Sequence, residues 1–146
     1  MGARADMLTA FVTSLVAVSG VEEWRYGFSP EHMSTAVAKP ETRAAAAVWM
    51  PETVATGDRQ MPRVRLTERI DVGLLVDVRQ FDHLDTLGAT LDLEADIIAA
   101  LIAADAVPGW SILFDSVTRE PYGPDELAPL VVVTMSFALT ATVAFT

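Results

Sequence analysis

A chain of 146 residues with 51% apolar and 21% charged side chains fits one domain with a sizeable core. It holds no cysteine, which excludes disulfides and thiolate metal sites, and its net charge of −10 disfavours a protein that grips DNA phosphates. The apolar share is above the usual value, a surplus that points to contacts between subunits.

Met7, Leu8, Phe11, Val12, Leu15 and Val18 form a helical stripe, with Gly20 as a stop just past its end. Arg4 is the only base ahead of this run, and Asp6, Thr9, Thr13 and Ser14 interrupt it, so an amphipathic packing helix is expected rather than a signal peptide. No run approaches the roughly 20 apolar residues that a membrane-spanning helix needs. Glu22 to Phe28 reads as a short strand carrying Trp24, Tyr26 and Phe28 on one face. Ser29-Pro30-Glu31 then offers a helix cap and first turn, with a brief helix to Ala38 ended by Lys39-Pro40. Ala44 to Met50 reads as a short buried strand or a helical turn, with the strand favoured by Val48-Trp49-Met50 after the alanines. Pro51 closes it, and residues 51–62, with Gly57, Asp58 and prolines, are expected to form an exposed loop.

Two longer stretches follow the rule of alternation. From Arg63 to Arg79 the even positions read Val64, Leu66, Glu68, Ile70, Val72, Leu74, Val76, Val78, while Arg, Asp, Thr and Gly dominate the odd ones. From Leu130 to Thr146, Val131, Val133, Met135, Phe137, Leu139, Ala141, Val143 and Phe145 share one face. At ~3.3 Å per residue each would run roughly 55 Å, against a radius of gyration of only ~15 Å for a domain of this size. Such strands either bend or project beyond their core, and a projecting strand asks for a partner copy. Between them, Thr90 to Asp105 predicts a helix with Leu93, Ile97, Ile98, Leu101 and Ile102 on one face. Asp92, Glu94 and Asp96 lie near its positive end, and Pro108-Gly109 closes it. Trp110 to Thr118 alternates again, a turn follows at residues 120–125, and the last strand returns antiparallel. The order α-β-(α)-β-β-α-β-β describes a single α+β domain over residues 1–146. Its sheet is mostly antiparallel with long projecting strands or hairpins, packed by an N-terminal helix and a central helix at about 91–105.

Candidate chemistry is sparse. Asp82, His83 and Asp85 form the one dense polar cluster, the only plausible centre for a small soluble enzyme. A metal site needs three or four ligands in fixed geometry, and the other histidine, His32, is some fifty residues away. Asp and His also commonly cap turns, which is the plainer reading. There is no nucleophile elbow, phosphate-binding loop or dinucleotide glycine pattern. No catalytic residue, cofactor or metal is therefore assigned, and a non-enzymatic role is expected.

Charge is placed unevenly. Residues 1–79 carry nine bases and ten acids, whereas residues 80–146 carry only Arg119 against ten acids. Arg63, Arg65, Arg69 and Arg79 share the odd face of the first long strand, with Asp71 and Asp77 between them. A solvated strand face is the plain reading of this pattern; the alternative makes these arginines, with Asp92 and Asp96 of the acidic helix, the candidate subunit-interface residues. A basic patch meeting a distinct acidic patch is a head-to-tail contact, which closes into a ring when the rotation permits. Exposed strand edges offer a second adhesive through β-addition.

An amphipathic first helix, an aromatic strand, a loop-rich middle, a long strand, an acidic helix and a terminal hairpin, in this order and length, resemble the tail terminator proteins of long-tailed bacteriophages. The likeness spans nearly the whole chain and rests on element order, with no signature motif. It implies a structural virion protein at the head–tail junction, assembled in the host cytoplasm. Such a protein forms a hexameric ring on the tail tube protein, ends tube polymerisation and joins the tube to the head connector or stopper protein. DNA would pass through the channel without specific binding, and an acidic second half suits such a lumen. Another neck or tail-tube component is the alternative within this class, and a cytoplasmic binding module with strands bent around one core lies outside it.

Overall fold

The computed structural model describes residues 2–19, 21, 23–27, 44–55, 63–77, 83–121 and 130–144. The N-terminal stripe folds as helix α1 (Ala3–Val16), burying Met7, Phe11 and Leu15. Strands β1 (Glu23–Gly27), β2 (Ala44–Ala55) and β3 (Arg63–Asp77) follow, then helix α2 (His83–Ile102) and strands β4 (Ser111–Pro121) and β5 (Leu130–Ala144). The strands build one sheet in the order β1-β2-β3-β5-β4. β1 runs parallel to β2, and every other neighbouring pair is antiparallel. This is the expected α+β arrangement with an N-terminal and a central helix. The short helix predicted before Ala38 lies outside the described residues.

The period of two decides which face meets the helices. Ile70, Val72 and Leu74 of β3 join Val133, Met135, Phe137 and Leu139 of β5 and Ala46 and Val48 of β2 in one buried cluster. Met7, Phe11 and Leu15 of α1 and Ile97 and Leu101 of α2 cover it. Phe137 stands at its middle, edge-on to Phe11 at 5.7 Å and to Phe114 at 5.6 Å between ring centroids. Edge-to-face pairs of this kind contribute about 0.5–1.5 kcal/mol beyond the area they bury. Ser14 Oγ donates to the Ala106 carbonyl at 3.2 Å, tying the end of α1 to the turn after α2.

Four expectations are revised. First, both long strands have the anticipated length, but β3 pairs with β5 over its whole length, from Arg63↔Ala144 to Asp77↔Leu130. Both are interior strands, flanked on each side within the chain, so neither awaits a neighbouring copy. Residues 63–65 and 141–144 extend past the pairing with β2 and β4 at one end, and Asp77 with Leu130 does so at the other.

Second, β2 continues through Pro51 to Ala55, where an exposed loop was expected, while residues 56–62 lie outside the described set. A register shift between Trp49 and Glu52 takes Pro51 out of the ladder, where its missing N–H does no harm.

Third, α2 begins at His83 rather than Thr90 and runs through Gly88. Leu84 and Leu87 continue an apolar i, i+3 spacing upstream of Thr90, and one interior glycine costs only ~1 kcal/mol. The acids Asp92, Glu94 and Asp96 therefore sit in mid-helix, away from the positive end that was to favour them.

Fourth, the polar odd face of β3 is solvated only at one end. Arg63, Arg65 and Arg69 are exposed, whereas Asp71, Gly73 and Leu75 are buried, together with Trp49 of β2 and Ser136 of β5.

Candidate assembly surfaces

The exposed half of the helix-free face carries the predicted arginines. Odd positions of β3 point away from α1 and α2, so Arg63, Arg65 and Arg69 share that open face with Thr67, Ala138 and Thr140. Leu113 of β4 adds an apolar side chain that is 68% exposed. Arg63 and Arg65 make no ion pair among the described residues. Arg69 is partly engaged at home: its Nε lies 3.6 Å from Asp71 Oδ1, and its Nη2 donates to Ser136 Oγ at 3.5 Å. Asp71 Oδ1 is buried and accepts no hydrogen bond, so this cation 3.6 Å away is what offsets its charge. Arg79 lies outside the described residues.

The acidic partners sit in the other layer. Asp92 and Asp96 are exposed on α2, while Glu94 between them is buried and gripped by Arg119 of β4. Arg119 Nε donates to Glu94 Oε2 at 3.2 Å, and its Nη2 donates to Oε1 in a second, shorter bond. Arg119 pairs with Val133, which pairs with Leu74, so this part of α2 lies over the Leu74 end of the sheet. The one base of the acidic second half is thereby consumed within the chain.

Another buried carboxylate was visible in the sequence only as an oddity, Glu68 among the apolar even positions of β3. It is fully buried on the helix side. Arg4 Nε of α1 donates to its Oε1 at 2.6 Å, Thr53 Oγ1 of β2 donates to its Oε2 at 2.5 Å, and Arg4 Nη2 donates to Thr53 Oγ1 at 3.1 Å. Each helix is thus fastened to the sheet by one arginine–glutamate pair. Glu94, three residues before Ile97 and seven before Leu101, likewise falls on the buried stripe, so sequence position alone could have exposed it.

The sheet edges are unequal. β1 covers β2 only from Ala45 to Trp49, which leaves the outer edge of Met50–Ala55 without a strand partner among the described residues. β4 forms the other edge over its whole length, with a bulge between Phe114 and Ser116. That bulge, with Asp115, Glu120 and Pro121 on the strand, blunts it against indiscriminate pairing.

The polar cluster near residue 83 resolves differently from a turn. His83 and Asp85 are in the first turn of α2, and Asp82 lies outside the described residues. Among the described residues no three His, Cys, Asp or Glu side chains gather to hold a metal ion, and no helix is long and apolar enough to cross a membrane. Comparison with protein-family models and with curated proteins finds no match for this chain.

Proposed function

We propose that this protein is a non-enzymatic, ring-forming virion component at the head–tail junction of a long-tailed phage, a tail terminator that caps the tail tube and joins it to the head connector. The observation that carries this reading is the separation of charge between layers. Exposed Arg63, Arg65 and Arg69 occupy the open face of the sheet, while exposed Asp92 and Asp96 occupy the helix layer behind it. Opposite patches on opposite sides of a molecule satisfy a neighbour without satisfying each other, the requirement for a heterologous contact that repeats around a ring. The element order and the two long central strands fit the same family, and the acidic surplus of residues 80–146 suits a lumen that lets DNA slide past.

The test is mass in solution, alone and with purified tail tubes, by sedimentation and electron microscopy. The wild-type chain is expected to form closed rings or to cap tubes. The variant Arg65→Glu with Arg69→Glu is expected to keep its far-UV spectrum and to lose assembly. A wild-type chain that remains monomeric at every concentration and ignores tubes overturns the reading.

A further inference from the structure

A cleft of about 480 Å³ opens between the start of α1, the turn before β4 and the end of β5. Its walls are Met7, Ala10, Pro108, Trp110 and Val143, and Asp6 is the one charged residue among those that line it. Asp6 makes no ion pair among the described residues, and Trp110 is half-buried there. A carboxylate and an indole lining one largely apolar cleft is chemistry that receives a guanidinium. The flat cation stacks on the ring, the methylene stem lies along the floor, and the carboxylate takes the N–H donors.

The same end of the molecule supplies such a cation on its other side. Arg65 pairs with Thr142 and Arg63 with Ala144, across β5 from the cleft-lining residues Ala141, Thr142 and Val143. Both arginines are exposed and without ion pairs among the described residues, and the pleat points them away from the helices. Cleft and arginines therefore lie back to back at one sheet end, where no chain can bring its own together. Asp92 and Asp96, by contrast, lie on the part of α2 over the far end, where the open face is already buried.

Resting on the ring reading above, we propose that the Asp6–Trp110 cleft receives the Arg63–Arg65 tip of a second copy of this chain, and that this is the contact repeated around the ring. The two cations stand ~7 Å apart on one strand face, close enough for one to enter the cleft while the other meets its rim.

The absence of native cysteine gives a direct test. A chain carrying both Asp6→Cys and Arg65→Cys is expected to yield a ladder of disulfide-linked multimers under mild oxidation, ending in a closed ring. Each single-cysteine variant can give no more than dimers. Independently, Asp6→Arg is expected to weaken association at least about tenfold, Asp6→Asn by less, and the triple reversal Asp6→Arg, Arg63→Asp, Arg65→Asp to recover most of the loss. Asp6→Asn, which keeps size and helical position, guards against a folding defect, and an unchanged far-UV spectrum checks it. Rings that form normally with Asp6→Arg, or a double-cysteine chain that stops at dimers, overturn this cleft contact and leave the ring reading standing. A wild-type chain that never associates overturns both.

Discussion

At the scale of single residues, the most consequential feature is a carboxylate where the sheet should be apolar. Glu68 is fully buried, yet both of its oxygens accept hydrogen bonds, from Arg4 and from Thr53. Breaking a buried pair is expensive because the remaining charge stays in a poor solvent, whereas replacing both partners with apolar groups is often neutral. Arg4 is 44% exposed, so water shares its side of the pair and moderates the loss. Arg4→Met is expected to destabilise the protein by about 1–3 kcal/mol, and adding Glu68→Met to recover most of it. Urea unfolding of the two single variants and the double gives the coupling directly. An Arg4→Met chain within about 0.5 kcal/mol of wild type would show that α1 is held by packing alone.

At the scale of elements, the second arginine–glutamate pair joins α2 to an edge strand that has only β5 beside it. Arg119→Ala leaves Glu94 buried without its bidentate partner, so α2 and β4 should loosen together while α1 keeps its own fastening. Amide exchange is expected to quicken about tenfold or more in β4 and α2, and little in α1 or β2. Uniform acceleration throughout the chain would mean that the pair supports global stability instead. These two pairs also mark the limit of what sequence reading could reach. Periodicity found both helices and the central strands, because alternation and a 3.6-residue stripe are imposed by the very faces they bury. It placed Glu68 on such a face without seeing that it needed a partner, and it assigned Glu94 to the helix's positive end rather than to the buried stripe. Arg4, sixty-four residues from Glu68, and Arg119, twenty-five from Glu94, become neighbours only through the sheet order. Boundaries failed where local signals compete with tertiary ones: Pro51 read as a break and the helix was expected only from Thr90, but a bulge absorbs the proline and apolar spacing carries the helix through Gly88. The open-face arginines were legible from alternation, whereas the cleft, assembled from α1, the turn before β4 and β5, left no local trace.

At the scale of the whole molecule, what matters is how a strongly anionic chain could join copies of itself. A net charge of −10 makes each approach of a second copy repulsive at long range, so cohesion has to come from short contacts between unlike patches. The exposed tip with Arg63 and Arg65 supplies positive charge at one sheet end, and the carboxylates of the helix layer supply the rest. These two effects respond differently to salt. Raising ionic strength from about 0.1 M to about 1 M shortens the screening length from ~10 Å to ~3 Å. That change removes the diffuse repulsion between whole molecules first and the close pairs at exposed contacts later. Association should therefore strengthen at the first additions of salt and weaken as the concentration approaches about 1 M, a maximum readable by sedimentation across a salt series. With Arg63→Ala and Arg65→Ala combined, the falling limb should flatten, because the pairs that salt dissolves are already gone. Association that only rises with salt, in wild type and variant alike, would assign cohesion to apolar contact around Leu113 and deny the arginine tip its role.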